Sequence, residues 1–194
     1  MGTPKQLLPL GDKPVIRHCA DTLVASGIED LVVVTGTQHE ACVEALQGTL
    51  ARFARNEDAV SHMADSVRTG LRSLDAACSG VLVYLADHPF VSAETCSFIV
   101  DLHQQSSEKI IIPAFRGRRG HPSLFPIEII KEIYFTDTLR DLIRQNEDRI
   151  MQVEVPDEGI VLDMDTQEDY RAFQEKYDRQ GDKSVAESKK GLRP

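Results

Sequence analysis

The chain of 194 residues lacks the cysteine patterns that mark zinc ribbons and dithiol redox sites. Its four cysteines are widely spaced and form no C-x-x-C pair, at Cys19, Cys42, Cys78 and Cys96. A structural zinc site or a thioredoxin-like motif is therefore not indicated. We expect reduced thiols, as in a cytoplasmic protein.

Long apolar runs and an excess of basic residues are also missing. No apolar stretch reaches the length of a transmembrane helix, and the first residues do not resemble a signal peptide. The formal net charge of -9 argues against binding nucleic acid through its phosphates, and against a polybasic membrane anchor. We expect no nucleic-acid or membrane partner, whereas a small anionic ligand needs only local positive charge or a metal ion.

Two common nucleotide-binding signatures are absent as well. Neither G-x-G-x-x-G nor the Walker pattern occurs, so a dehydrogenase and a P-loop kinase are both unsupported. The histidines do not cluster at metal-ligand spacing, and no Ser-His-Asp arrangement can be argued from the sequence.

Helical and strand patterns alternate along the chain. The predicted helices start near Pro14, Gln38, Ala64, Ser92, Ile127, Thr138 and Thr166. The predicted strands are Leu31–Thr35, Gly80–Ala86, Lys109–Ala114, Ile150–Val155 and Ile160–Leu162. This alternation predicts a three-layer α/β/α sandwich with a mainly parallel sheet over residues 1–177. From Asp178 onward the chain is polar without apolar periodicity, which predicts a disordered tail over 178–194.

Acidic residues follow two of the predicted strands directly. Asp87 follows Gly80–Ala86, while Asp163 and Asp165 follow the last short strand. Ligands of open α/β sheets bind beyond the carboxyl ends of the strands, and Mg²⁺ favours one or two carboxylates plus substrate phosphates. Each residue alone also fits a turn or a helix cap, so the sequence leaves both interpretations open.

Lys5 stands in a turn that contains glycine and proline, next to the apolar pair Leu7 and Leu8. A lysine in such a loop beside a helix suits an anionic phosphate, although most lysines are simply solvated. No strand precedes this turn, whereas phosphate loops of α/β proteins normally follow one.

A second basic segment lies between Phe115 and Pro122. Arg116, Arg118 and Arg119 surround a glycine-rich loop that ends in Gly120 and His121. It is either a solvated hairpin tip or a loop that folds over an anionic substrate. His121 is a weaker candidate for the same substrate side.

Four segments in order resemble the molybdenum cofactor cytidylyltransferase and guanylyltransferase family, also called MobA-like nucleotidyltransferases. They read MGTPKQLL at 1–8, LADHPFV at 85–91, RGHPSLF at 119–125 and LDMDTQED at 162–169. The resemblance spans Met1 to Tyr177 and implies a Rossmann-like nucleotidyltransferase sheet. The Gly-His-Pro segment is similar to the cytidylyl branch.

The resemblance implies transfer of CMP from CTP, with GTP as the alternative, to the phosphate of a molybdopterin-type acceptor. The implied catalytic residues are Lys5 and Asp87, and the implied Mg²⁺ ligands are Asp87, Asp165 and Asp163. The implied nucleotide contacts are Lys5, Asn56 and Ser66, and the implied acceptor contacts are Arg119, Gly120 and His121. A molybdoenzyme or its maturation factor is the further partner that this function implies.

The chain departs from the family mildly at Gln167, where proline is usual, and more strongly in two other places. The family's first strand and the glycine-rich loop after it have no counterpart. By resemblance, that strand lies between Leu31–Thr35 and Gly80–Ala86, which would otherwise expose unpaired edges. His62 also stands where the family often has glycine. Two alternatives therefore remain, a non-catalytic cofactor-binding or chaperone module and a nucleotidyltransferase for another small phosphorylated acceptor.

Overall fold

The computed structural model describes residues 4–57, 62–74 and 77–190, with side chains described as far as Arg179. The start of the first resembling segment, residues 1–3, lies outside this part, as do residues 58–61 between the implied nucleotide contacts Asn56 and Ser66. Most side chains of the predicted tail also lie outside it, so its disorder stays a prediction. Within the described part, no helix has the length and apolarity that crossing a bilayer requires.

Helices and strands alternate through the described part, as the sequence predicts. The helices are α1 (Val15–Ala25), α2 (His39–Ala45), α3 (Met63–Leu71), α4 (Ala93–Gln105), α5 (Ile127–Ile130), α6 (Leu139–Gln145) and α7 (Gln167–Lys190). The strands are β1 (Pro9–Leu10), β2 (Lys13–Pro14), β3 (Val32–Thr35), β4 (Arg52–Arg55), β5 (Gly80–Val83), β6 (Ile110–Phe115), β7 (Arg118–Arg119), β8 (Ser123–Pro126) and β9 (Ile150–Glu154). Short 3₁₀ turns cover Lys5–Leu7, Lys131–Phe135, Glu147–Arg149 and Glu158–Val161.

The larger sheet is mixed. Strand β8 runs antiparallel to both β5 and β6, whereas β9 runs parallel to β6. Strands β3 and β4 pair in parallel as a separate two-stranded sheet. The α/β fold is thus confirmed, and its sheet contains more antiparallel pairing than the alternation of helices and strands suggests, because β8 lies between β5 and β6.

Strand β6 is the centre of the core, and its side chains alternate between two helical layers. Ile110 and Ile112 pack in one apolar cluster with Ile129 of α5, while Ile111 packs in another with Ile99 of α4. Alternate residues of a strand point to opposite faces, so this division places helices on both sides of the sheet. The three-layer arrangement follows from it.

Two of the predicted helix starts, those near Ser92 and Thr166, have capping side chains. Ser92 Oγ accepts a hydrogen bond from the backbone N–H of Thr95 at 3.1 Å, at the start of α4. At the start of α7, Thr166 Oγ1 accepts from the N–H of Asp169 at 3.1 Å, and Asp169 Oδ2 accepts from the N–H of Thr166 at 2.7 Å. This reciprocal pair is a capping box, and it fixes the backbone next to Asp165.

The predicted strand at Ile160–Leu162 is wrong, because Glu158–Val161 forms a 3₁₀ turn. The carbonyl of Ile160 accepts a hydrogen bond from the N–H of His121 at 2.8 Å. A Cβ on Gly159 would lie 2.1 Å from the carbonyl oxygen of Phe90, so the turn packs directly on the backbone after β5. These tertiary contacts hold the short apolar run in a turn.

Candidate active site

A lysine and two carboxylates from three distant parts of the chain meet at one point. Lys5 Nζ donates hydrogen bonds to Asp87 Oδ2 at 2.5 Å and to Asp165 Oδ1 at 2.7 Å. Lys5 lies in the first 3₁₀ turn, Asp87 follows β5, and Asp165 precedes α7. The Asp87 side chain is 16% exposed and that of Asp165 is 65% exposed, so the cluster is open on the Asp165 side.

The charges in this cluster stabilise one another. Burial alone lowers the pKa of Lys5, but hydrogen bonds to Asp165 and Asp87 outweigh it and raise the pKa above its ordinary value. The hydrogen bond from Lys5 lowers the pKa of Asp165. The two carboxylates therefore face one common cation, the Lys5 ammonium group. Two carboxylates directed at one point are also the electrostatic environment that a divalent metal ion requires.

Asp163 is close enough to influence this cluster without bonding Lys5. Its charge raises the pKa of His121, against the larger effect of burial, and it also acts on Asp165. Among the described residues, no group of three or more His, Cys, Asp or Glu side chains is arranged to hold a metal ion. A site built on Asp87 and Asp165 would therefore take its other ligands from substrate oxygens and water, which is the habit of Mg²⁺.

His88 is a site residue that the sequence argument missed. It is 4% exposed, and its Nε2 lies 3.9 Å from Asp87 Oδ1. Its ring packs edge-on against that of His121, with centroids 5.6 Å apart, which brings His121 beside Asp87. Burial lowers the pKa of His121, so its ring is favoured in the neutral form. The sequence signal that could have identified His88 was its place in the Asp-His-Pro segment after β5.

The basic segment between β6 and β8 is a tight hairpin. Arg116 and Gly117 form its turn with φ values of 52° and 79°, and Arg118 and Arg119 are exposed on β7. Arg119 Nε donates to Gln152 Oε1 of β9 at 2.8 Å, so its guanidinium is held along the sheet. Gly120 leaves no space for a side chain, because a Cβ there would lie 2.3 Å from the Ile160 carbonyl oxygen.

The other two implied nucleotide contacts, Asn56 and Ser66, lie on other elements. Asn56 directly follows β4, and its N–H donates to the Thr35 carbonyl at 2.7 Å. Ser66 lies on α3, where it lines a cavity between β3 and β5. The structure thus brings together Lys5, Asp87 and Asp165, and it leaves Asn56 and Ser66 on the elements that flank β3.

The lysine and the clustered carboxylates lie beyond the carboxyl end of β5, which is the region where α/β sheets bind their ligands. The model of one family, the MobA-like NTP transferase domain, matches residues 1–151. The chain belongs to this family, which confirms the resemblance found in its motifs.

The solved structure of one relative matches most of the chain, whereas another relative matches little more than half of it. Rv0371c from Mycobacterium tuberculosis is 26% identical, with 90% of each chain covered and a TM-score of 0.73. It has also been crystallised in complex with manganese. The bifunctional protein GlmU from Mycobacterium ulcerans is 31% identical over 116 residues, which cover 57% of this chain and 24% of GlmU. The chain thus spans about a quarter of that relative.

One relative of similar length is named as an oxidoreductase and not as a transferase. The nicotine blue oxidoreductase of Paenarthrobacter nicotinovorans is 26% identical over 179 residues, which cover 85% of each chain. Membership of the family therefore leaves open the reaction of this chain.

Proposed function

We propose that the protein is a nucleotidyltransferase that transfers CMP from CTP to the terminal phosphate of a molybdopterin-type acceptor. An acceptor phosphate oxygen attacks the α-phosphorus of CTP and forms a new P–O bond. The bond between the α-phosphorus and its bridging oxygen breaks, and pyrophosphate leaves with the electron pair. Such a reaction needs cations and positioning rather than a protein nucleophile. The observation that carries the proposal is Lys5 held between Asp87 and Asp165.

We infer that Mg²⁺ is the metal cofactor, held by Asp87 and Asp165 with Asp163 nearby. Two carboxylate oxygens facing one point, one of them well exposed, fit a cation that completes its shell from phosphates and water. The manganese complex of Rv0371c supports a divalent ion in this family. When bound, the ion would neutralise charge on the phosphoryl oxygens. Lys5, released from the carboxylates, would then contact the triphosphate.

The choice of CTP over GTP rests on the Gly120, His121 and Pro122 segment, which resembles the cytidylyl branch. In the structure this segment meets the site through the contact of His121 with His88. His121 and the backbone at Gly120 would contact the acceptor, and Arg119 would reach it after leaving Gln152. Asn56 and Ser66 remain the proposed contacts of the nucleotide. A cytoplasmic location, and delivery to a molybdoenzyme or its maturation factor, follow from this proposal.

Two alternatives keep the family but change the activity. Another small phosphorylated acceptor would use the same Lys5, Asp87 and Asp165 cluster, and a cofactor-binding or chaperone module would not turn over CTP. A redox activity is a further candidate, because a relative matching 85% of the chain is named an oxidoreductase. The lysine and carboxylate cluster favours phosphate chemistry over it.

The test is pyrophosphate release from CTP with molybdopterin and Mg²⁺, with GTP in parallel and a chelator arm. The proposal predicts release that requires acceptor and metal, and that is faster with CTP. Turnover with a sugar or alcohol phosphate but not with molybdopterin would favour the other acceptor. Molybdopterin binding by calorimetry without Mg·CTP binding or turnover would favour the non-catalytic module.

A further inference from the structure

His88 lies in the turn by which the chain leaves β5, and its backbone is hydrogen-bonded on both sides. Its N–H donates to the Leu85 carbonyl at 3.2 Å, and the hydroxyl of Tyr84 donates to its own carbonyl at 2.8 Å. Asp87 directly precedes it in the same turn. The turn that presents the Asp87 carboxylate to Lys5 therefore also sets the direction of the His88 side chain.

The imidazole ring of His88 is held by packing rather than by hydrogen bonds. The residue is 4% exposed, yet its Nδ1 has no hydrogen-bond partner in the described part of the chain. Its Nε2 lies 3.9 Å from Asp87 Oδ1, which is beyond hydrogen-bond distance. The ring instead packs edge-on against His121, with the two ring planes inclined at 62°. His88 therefore contributes a fixed aromatic surface to the site.

His121 faces His88 from the loop before β8, and its backbone is fixed by hydrogen bonds. Its N–H donates to the Ile160 carbonyl at 2.8 Å, and the N–H of Gly120 donates to the Pro113 carbonyl at 2.8 Å. The Nδ1 atom of its half-buried ring has no partner within the described residues. Because the backbone is fixed, the freedom left to His121 is rotation of its side chain. The ring of His88 limits that rotation.

The lysine and carboxylate cluster does not depend on the ring of His88. Lys5 bonds Oδ2 of Asp87, whereas His88 approaches the other oxygen, Oδ1. Removal of the ring would leave the hydrogen bonds from Lys5 to Asp87 and Asp165 in place. The contact that would be lost is the one with His121, so the effect of His88 falls on the acceptor side of the site.

From this geometry we infer that His88 is a positioning residue, whose ring holds the imidazole of His121 toward the acceptor. The inference rests on the proposed function, in which His121 contacts the acceptor. A His121 ring that turns away loses a contact made in the ground state and in the transition state alike. His88 therefore sets the affinity for the acceptor, and it leaves the affinity for CTP and the rate at saturation unchanged.

The kinetic test compares His88→Asn with His88→Phe. Asparagine keeps an amide group near the position of Nδ1 but has no ring, whereas phenylalanine keeps a ring without a nitrogen. In pyrophosphate release with saturating Mg·CTP, His88→Asn should raise the KM for molybdopterin about fivefold, the order expected for the loss of one aromatic pair. Its kcat and its KM for CTP should stay within about twofold of the wild-type values. His88→Phe should restore most of the lost acceptor affinity.

A second readout needs neither turnover nor nucleotide. Diethyl pyrocarbonate modifies accessible imidazoles, and mass spectrometry gives the rate for each histidine. His88→Asn should speed the modification of His121 at least about twofold, because its ring is no longer packed. His88→Phe should keep His121 protected. His18, whose Nε2 bonds the Leu10 carbonyl at 2.7 Å, is the internal reference.

The outcomes separate this positioning role from the proposed function. Faster modification of His121 in His88→Asn, without molybdopterin turnover by the wild type, would support the positioning and reject the proposed function. Equal reactivity of His121 in the wild type and His88→Asn would overturn the positioning role, and so would an equal loss of acceptor affinity in both variants. A fall in kcat and in Mn²⁺ affinity at unchanged acceptor KM would also overturn it, by assigning His88 to Asp87. His88→Leu, which also lacks a ring, replaces His88→Asn if that variant does not fold.

Discussion

Lys5 donates a hydrogen bond from Nζ to Asp87 Oδ2 at 2.5 Å, although the two residues are 82 positions apart. The ammonium group thereby occupies one oxygen of the carboxylate that we propose as a metal ligand. Under the proposed function, metal binding would replace Lys5 at this carboxylate, and Lys5 would move to the phosphates. Before any ligand binds, the single positive charge of Lys5 thus faces the two carboxylates of Asp87 and Asp165.

Asp87→Asn should lower the rate of pyrophosphate release at least about 10²-fold, because preorganised electrostatic groups typically contribute this much. The measurement is the initial rate with saturating Mg·CTP and acceptor. Asp101→Asn, on the exposed side of α4, is the matched control and should keep the normal rate. A near-normal rate for Asp87→Asn would remove this residue from the metal site.

Lys5→Met should destabilise the protein across a defined pH range. The raised pKa of Lys5 contributes stability below its ordinary value of 10.5, and this contribution is lost as pH rises through the folded-state value. The lowered pKa of Asp165 contributes above its ordinary value of 3.8, and this contribution is lost as pH falls through the lower folded-state value. The difference in Tm between wild type and variant should therefore be largest between these limits.

Thermal unfolding from about pH 3 to 11 would check this profile. Lys131→Met is the control, because Lys131 forms a surface ion pair with Glu128 at 3.5 Å and such pairs contribute little. An equal, pH-independent loss in both variants would contradict a stabilising role for the Lys5 cluster.

Gly159→Ala should destabilise the fold by about 1–3 kcal/mol or more, the usual cost of overpacking. A Cβ at this position would lie 2.1 Å from the Phe90 carbonyl oxygen, so backbone must move. At Gly36 a Cβ meets nothing within 4 Å, and Gly36→Ala should change stability by less than about 0.5 kcal/mol. Urea unfolding of the two variants gives the comparison, and equal midpoints would refute the close packing of the 3₁₀ turn.

Thr166→Ala removes the side-chain cap of α7 and should cost about 1 kcal/mol of unfolding free energy. It should also weaken metal binding at the proposed ligand Asp165. Asp169 Oδ2 accepts a hydrogen bond from the Thr166 hydroxyl and another from the N–H of Asp165 at 3.1 Å, so the cap also holds the backbone of Asp165. Calorimetry with Mn²⁺ and denaturant unfolding provide the two readouts. Thr37→Ala, at an exposed turn, should change neither.

The position of Asp87 beyond a strand end was predictable, because it follows an apolar strand and strand ends gather ligands. The expectation for Asp165 rested on a strand at Ile160–Leu162, where the structure has a 3₁₀ turn instead. The caps at Ser92 and Thr166 were equally readable, since capping depends on residues three positions apart. These features are local, or follow from a general rule of α/β sheets.

Other features depend on contacts that local patterns do not encode. The apolar run at Ile160 suits a strand, yet a hydrogen bond from the N–H of His121 and the packing of Gly159 on Phe90 make it part of a turn. The antiparallel direction of β8 and the burial of His88 also arise from tertiary packing. Periodicity carries no information about these partners.

The two ends of the described chain are fastened together. Tyr170 and Tyr177 of α7 donate hydrogen bonds to the carbonyl of Pro9 and to Asp12, and Lys5 reaches Asp165 across 160 positions. A nascent chain therefore lacks the Lys5, Asp87 and Asp165 cluster until Asp165 has been synthesised and α7 has docked on the N-terminal segment. Premature termination anywhere before Asp165 would remove one member of this cluster, so the proposed activity would depend on the docking of α7.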